Sequence, residues 1–378
     1  MCFAAADRAE RIDMTDLVDI SLIDPAGIDV AFRNEWQELA KLSARPNPFF
    51  EDWFLLPSLE QFDQKQNVKI LVARSVKEGA LVGLLPVQRK LGYRKTPIVY
   101  YQAFIHSFCF NGTPLIRKSW SQPFFNSLAD WIETKPDGAR FLQLLALPYG
   151  PDMVEIIEAS FGKDQIFIQN LYNRAYLNQF SNNKNTYKEY IDKTLSPKRR
   201  GALRRARRHL EKMGTLTIGD VPVNEEVIED YFALEKTSWK SPEKSGLSPT
   251  LIEAQKKLFK EVISTGAEQG CVECRGLYLN QRLIALAFQL RRNKYLAGFK
   301  TVYDTQYARY SPGVHVLLDV IKAMLEGDDL QEFDSCSQAD HPLLDRIMVD
   351  RMPMAQINLI GSSRLSRLIM GALSKTSS

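Results

Sequence analysis

Apolar positions recur along this chain with two different periods. Val30, Phe32, Trp36, Leu39 and Ala40 keep helical spacing and predict a helix over 29–42. NPFFEDWF, directly after it, reads as a loop with aromatic anchors. Short apolar runs at 68–73, 80–88 and 97–104, separated by Gly, Pro and charged residues, read as strands. A helix over 122–134, a strand over 140–147, a helix over 152–161 and an extended stretch over 165–177 complete one mixed α/β unit. Residues 1–27 are polar and aperiodic and predict a loose arm.

SNNKNTYKEY (181–190) lacks a core-forming pattern before Tyr187, which places a junction there. Ser196-Pro197 then supplies an N-cap and a first-turn proline, and Gly214 a C-cap. Between them Lys198, Arg199, Arg200, Arg204, Arg205, Arg207, Arg208 and Lys212 face Glu211 alone, over a narrow stripe of Leu203, Ala206, Leu210 and Met213. The alternation then repeats: helices over 225–239 and 249–265, strands over 271–279, 282–291 and 294–303, and a helix in VHVLLDVIKAMLEG. LQEFDSC, DHPLLDRIM and MAQINLI read as strand, short helix and strand. The pattern predicts an α/β protein (an α+β mixed sheet) divided into an arm (1–27), a first unit (28–180), a linker carrying the basic helix (181–224), a second unit (225–362) and a tail (363–378).

Composition narrows the class. A chain of 378 residues has the length of about two domains, and 45% hydrophobic with 25% charged residues is an ordinary globular balance. The formal net charge of +4 is small, so a case for a polyanionic partner must come from local clusters. No apolar run approaches the ~20 residues that span a bilayer, and the start lacks the order of a secretory signal. Both point to a cytoplasmic protein without a transmembrane segment. Five scattered cysteines oppose a disulfide framework. Cys271 and Cys274 form C-x-x-C, but three positions apart on a strand they face opposite sides and cannot share one ion, so no metal is expected.

The turn YARYSPGVHVLLDVI carries the most chemical information. An apolar strand ends at Tyr303-Asp304 and passes into a helix start, where free N–H groups suit a pyrophosphate. Gly313 permits close approach and Pro312 has no donor to waste. Gly298, inside the preceding strand, marks a bulge or a close backbone approach. A bulge there would splay two strands and leave a main-chain N–H to polarise a thioester carbonyl.

This arrangement resembles the Gcn5-related N-acetyltransferase (GNAT) fold. The basic helix, YFALEKTSW, SPGVHVLLDVI and EFDSC, preceded by Tyr187-Lys-Glu-Tyr190, are similar to the CelD/BcsL-type acetyltransferases, which resemble Fem-type transferases in carrying two such units in tandem. The resemblance implies a transferase that moves an acyl group from acetyl-CoA or another acyl-CoA to a small-molecule amine acceptor, an amino sugar or a cell-envelope precursor. Transfer would be direct, without metal or covalent enzyme intermediate. It places the co-substrate at Tyr310, Ser311, Gly313, Val314 and His315. The wider superfamily's Q/R-x-x-G-x-G/A turn is half kept, with Tyr310 at the basic position and His315 at the second glycine. HPLLDRIM has no Tyr to serve as the general acid some relatives use.

Asp334 and His341 are therefore the candidate catalytic pair, Asp334 orienting the amine and His341 relaying protons, with the alternative that Asp340 and His341 merely start a helix. Cys336 as a nucleophile would need a lowered pKa. Trp239, Lys300 and Tyr303 are expected around the acceptor, and the loop holding His106 is expected to cap it. Arg204 and Arg208 stand for the basic helix, which reads either as a solvated face or as a platform for CoA phosphates, an acyl carrier-protein surface or a nucleotide-linked sugar. RNA is least favoured, because no aromatics interleave the positives. The rival readings are an aminoacyl-tRNA donor and a degenerate transferase that only binds an anionic partner.

Overall fold

The apolar runs pair edge to edge into one large mixed sheet. The computed structural model describes residues 17–63, 67–179, 186–238, 242–244, 246–363, 367 and 371. The first half contains β1 (Val18–Ile23), α1 (Val30–Leu42), α2 (Asp52–Phe62), β2 (Val68–Ser75), β3 (Leu81–Tyr93), β4 (Thr96–Ala103), β5 (Leu115–Ile116), α3 (Ser121–Glu133), β6 (Phe141–Pro148), α4 (Pro151–Phe161) and β7 (Ile166–Asn178). The second contains α5 (Tyr187–Thr194), α6 (Pro197–Met213), β8 (Leu216–Asp220), α7 (Glu225–Thr237), α8 (Pro249–Glu268), β9 (Val272–Leu279), β10 (Arg282–Arg292), β11 (Tyr295–Tyr303), α9 (Pro312–Glu326), β12 (Glu332–Asp334), α10 (Leu344–Ile347) and β13 (Asp350–Ile360).

The strand order is β1-β2-β3-β4-β6-β13-β7-β12-β11-β10-β9-β8, with β5 paired to β3. Each half is an antiparallel meander that ends in a parallel pair, β4 with β6 and β11 with β12. The halves then exchange strands. β7 pairs with β12 of the second half, β13 pairs with β6 of the first, and the two pair with each other from Asp350 opposite Tyr176 to Leu359 opposite Ile166. The expected junction near 181 thus separates the chain but not the sheet. An apolar run announces a strand; it does not say which edge that strand joins.

Alternation along β11 sends Tyr295 and Ala297 into the large core shared with α1, α2, α7 and α8, and Leu296 into the cluster under α5, α6 and α9. Three expectations need correction. Residues 18–23, assigned to a loose arm, form β1 on β2, because VDISLI alternates well enough to pair. The segment after Glu51, taken as loop, is helix α2, with Trp53, Phe54, Leu55, Pro57 and Leu59 all buried. A helix buried around most of its girth shows no amphipathic period, and this one carries Pro57 in its interior. The stretch called a linker contributes α5 and the edge strand β8 as well as α6. Residues 1–16 and nearly all of the expected tail lie outside the described residues.

A buried ion pair joins the halves at α2 and β10. Glu51, 1% exposed, accepts from Arg292 Nε at 2.7 Å and from Trp53 Nε1 at 2.8 Å. Burial pushes its pKa up, and the Arg292 guanidinium opposes that shift. Nearby, Gly266 of α8 lies so close to α2 that a Cβ would sit 2.7 Å from Trp53 Cζ3. The 106–110 loop is held by rings: His106 lies 4.7 Å from Phe62 and 5.5 Å from Phe104, and its Nδ1 accepts from the Phe108 amide at 3.3 Å. Its Nε2 has no partner, and burial pushes its pKa down to about 3.

Arg292→Met is expected to cost about 3–5 kcal/mol in urea unfolding, because it strands the Glu51 charge. Adding Glu51→Gln should return most of that loss while keeping an acceptor for Trp53. His106 binds a proton in the unfolded chain near pH 6.5 but in the folded chain only near 3, so its contribution to stability falls as pH drops through that window. His106→Phe should therefore lose less melting temperature between pH 7 and pH 5 than the parent.

Candidate functional site

The site is built where β11 leaves β12. Their parallel pairing covers only Tyr295–Ala297 against Glu332–Asp334. Gly298 comes next, and a Cβ there would stand 2.8 Å from the Ser335 carbonyl oxygen, so no other residue fits without moving a backbone. On the other side, Phe288 of β10 faces Lys300 and Gln289 faces Gly298, which leaves Phe299 unpaired as a β-bulge. Beyond the bulge β11 pairs with β10 alone, and the two parallel strands part. The glycine singled out from the sequence marks both the bulge and the close approach.

After β11 the chain makes a 3-10 turn over Thr305–Tyr310, opened by Asp304, whose carboxylate accepts from Gln306 N at 3.0 Å and Arg282 Nη2 at 2.8 Å. Ser311 takes a left-handed conformation (φ 55°) before Pro312 begins α9. Val314 N and His315 N both donate to the Ser311 carbonyl, at 3.0 and 3.3 Å. Of the helix's opening donors only the Gly313 N–H is left to face a ligand. A Cβ at Gly313 would meet Tyr303 Cδ1 at 3.3 Å, so Tyr303 lies against the helix start. Tyr310, at the superfamily's basic position, is 8% exposed and packs with Leu210 and Val316 beneath His209, whose ring lies 5.9 Å away. It is a packing residue that pins α6 to this turn.

Asp334 closes the notch from the β12 side. It is 2% exposed; Oδ2 accepts from Arg174 Nη1 and from Tyr295 OH, both at 3.1 Å, and Oδ1 from the Cys336 amide at 2.8 Å. Arg174 Nη2 also donates to the Phe110 carbonyl at 2.8 Å, which ties the first half's loop to the end of β12. Burial and the Asp334 charge hold the Cys336 thiol well above its ordinary pKa, so it is protonated at neutral pH. The same causes raise Tyr295. His341 Nδ1 accepts from Leu343 N at 3.3 Å and Leu344 N at 3.2 Å, so it caps the turn into α10.

Across β11 lies a cleft between the halves. Lys300 Nζ stands 3.6 Å over the Phe108 ring. Beside it a cavity of about 200 Å³ is lined by Ser107, Tyr231, Glu235, Gln255 and Lys300. Gln255 Nε2 donates to Ser107 Oγ at 3.1 Å, and Tyr231 OH to Glu235 Oε1 at 2.6 Å. Tyr303 thus lies against the Gly313 helix start, Val314 is buried in the cluster under α5, α6 and α9, and Lys300 lines the cleft. Arg204 lines a separate pocket together with His315, and Arg208 is exposed on α6. Trp239 lies outside the described residues.

Sequence reasoning missed Arg174, Tyr295, Ser107 and Glu235. Arg174 had a signal, a lone cation in an otherwise uncharged strand end (LYNRAYLN). The others had none, since their roles depend on which strand β7 meets and where the first half's loop lands.

No helix among the described residues is long and apolar enough to cross a membrane, and no cluster of His, Cys, Asp or Glu among them could hold a metal ion. An acetyltransferase (GNAT) domain family model matches residues 197–341, the stretch from α6 to the end of the notch. No curated protein matches the chain. Among solved structures the chain is similar to a conserved protein of unknown function from Bacteroides thetaiotaomicron VPI-5482, with 12% identity over 90% of this chain and 100% of that one and a TM-score of 0.56. It is also similar to FemX, with 10% identity over 89% and 98% of the two chains and a TM-score of 0.55. A third is the C-terminal domain of a putative lysylphosphatidylglycerol synthetase from Agrobacterium fabrum, with 9% identity over 90% and 95% and a TM-score of 0.51. At such identities the likeness speaks for the fold. The chain has the fold of two GNAT-like units in tandem, and the acetyltransferase (GNAT) match falls on the second of them.

Proposed function

We propose that the second unit transfers an acyl group from acyl-CoA to an amine held in the cleft between the halves. The observation that supports this most strongly is the bulge at Phe299, with β11 parting from β12 just past Ala297 and Asp334, inside the GNAT-matched stretch. A parted parallel pair offers a pantetheine arm main-chain groups that a closed ladder would have consumed. A main-chain N–H at the bulge polarises the thioester carbonyl as it becomes an oxyanion. The neutral amine attacks it, a tetrahedral intermediate forms, and the C–S bond breaks as the thiolate leaves and takes up a proton. The amine's proton passes to water in the cleft.

Side chains position these parts. With both carboxylate oxygens committed, Asp334 fixes the end of β12 and, through Arg174, the Phe110 loop. His341 Nδ1 accepts from the Leu343 and Leu344 amides, so in this reading His341 serves as a cap of the turn into α10. The α9 start contributes one free amide, at Gly313, to the co-substrate's phosphates. Following the CelD/BcsL-type resemblance, the acceptor is an amino sugar or an envelope precursor of a size to fit beside Lys300 and Glu235. An aminoacyl-tRNA donor, in the manner of Fem-type enzymes, is the competing reading.

Calorimetric titration with acetyl-CoA, a longer acyl-CoA and uncharged tRNA at two salt concentrations tests this. Saturable, weakly salt-dependent binding of an acyl-CoA is expected. Gly298→Val, which pushes methyl groups into the Ser335 carbonyl, should weaken it at least tenfold, about 1.4 kcal/mol. Gly313→Trp should do the same from the helix side, and circular dichroism with thermal melting checks that both variants fold. If no acyl-CoA binds, or if folded Gly298→Val binds as the parent does, the reading is overturned; tight tRNA binding without CoA binding supports the Fem-like donor.

A further inference from the structure

Helix α6 buries Leu203 and Leu210 and exposes Lys198, Arg199, Arg204, Arg205, Arg208 and Lys212. Arg200 pairs with Asp192, and Arg207 with Glu211 at 3.0 Å. The exposed cations just named have no acidic partner among the described residues. Their placement works against the helix itself. Lys198, Arg199 and Arg200 crowd a first turn that has no acid, at the positive end of the helix dipole. Arg204, Arg208 and Lys212 follow one another at intervals of four, where like charges repel. From Lys198 to Lys212 the row runs about 21 Å along the axis, beyond the reach of one nucleotide's phosphates.

Gly201 supplies a second observation. It lies inside α6 on the outward stripe, and Arg204, Arg205, Arg208 and Lys212 continue that stripe at helical spacing. Glycine weakens a helix interior. The fold itself does not call for it here. Apart from the helix's own backbone, a Cβ built at Gly201 would meet Arg205 Nη1 at 3.4 Å, the end of a flexible side chain. Bare backbone on an outward face lets a second backbone come close.

Two apolar grooves flank the helix beside that glycine. One, of about 570 Å³, takes Arg200, Leu203 and Arg204 from α6, with Ile191 of α5 and Leu318 of α9. The other, of about 640 Å³, takes Lys198, Arg199 and Ala202 from α6, with Leu195, Leu343 and Ile347. Further exposed cations stand at the rims, Lys188 at the first and Arg346 at the second. The acids on the first groove's wall are engaged, Asp192 by Arg200 and Asp319 by Arg275 at 2.5 Å.

We propose that the outer face of α6 docks an acidic amphipathic α-helix of a partner protein. That helix crosses α6 at Gly201, sets its carboxylates on Arg204, Arg205 and Arg208, and lowers apolar side chains into the flanking grooves. The charges ask for an extended anion, the grooves for apolar side chains, and Gly201 for a close crossing; a helix meets all three demands. A flat lipid surface meets the cations but does not reach floors recessed beneath them. A sugar–phosphate chain has nothing apolar to fill the grooves, and α6 carries no Phe, Tyr or Trp on which a base could stack. The proposal stands apart from the acyl-transfer reading, and its failure leaves the notch untouched.

Fluorescence anisotropy on the full chain tests it with a lactam-bridged helical peptide, glutamate-rich, with leucines at i, i+3, i+4 and i+7. A shuffled peptide of the same composition, polyuridylate and phosphatidylglycerol vesicles are compared with it. The patterned peptide should bind at least tenfold more tightly than the shuffled one. Arg204→Glu combined with Arg208→Glu, both at exposed positions, should weaken that binding at least tenfold. Gly201→Leu should weaken it as much while raising the melting temperature, because leucine favours the helix that glycine weakens. A patterned peptide that binds no better than the shuffled one overturns the proposal. So does binding that survives Gly201→Leu or the double substitution in folded protein, or tighter binding of polyuridylate or vesicles than of the patterned peptide.

Discussion

Neither half of this protein can complete its sheet alone. β12 is three residues long, and without β7 it would be a ragged edge on β11; β6 likewise depends on β13. The β7–β13 pair at the centre therefore belongs to both halves, and it sets where β12 stops. That stop matters because the notch is the space β11 leaves when it turns away after Ala297. The exchange of two strands, rather than any one catalytic side chain, is what holds the candidate site open.

Buried polar groups reinforce that seam. Glu51 with Arg292 and Asp334 with Arg174 each link a side chain of one half to one of the other, and all four are largely withdrawn from water. Buried ion pairs are weak sources of stability against an apolar alternative, but breaking one is expensive, so they specify a single register for the two halves. Asp334 serves twice, since the same carboxylate that fixes Arg174 also receives Tyr295 and the Cys336 amide at the mouth of the notch. It thereby couples the register of the sheet to the shape of the site.

Much of this was legible in the sequence where local chemistry decides the outcome. Ser196-Pro197 and Gly214 bracket α6, Ser311-Pro312 starts α9, and Gly298 sits at the bulge it implied. Legibility stopped where distant partners decide. Helix α2 hid because its neighbours cover nearly every face, and β1 hid in a stretch whose alternation was too short to stand out. The strand exchange left no local trace, so Arg174 and Tyr295 went unseen although they complete the environment of Asp334. His315 was picked out as a misfit in a glycine pattern. Its surroundings show an imidazole buried among arginines on the face of α9 opposite the cleft, a place that motif comparison does not describe.

The account stands on a pantetheine arm entering between β11 and β12. Hydrogen exchange read by mass spectrometry, with and without saturating acetyl-CoA, addresses that directly. Amides over 298–300 and 335–337 should exchange markedly more slowly in the complex, while the β7–β13 seam stays as protected as before. Unchanged exchange over both segments in a protein shown to be CoA-bound would contradict it.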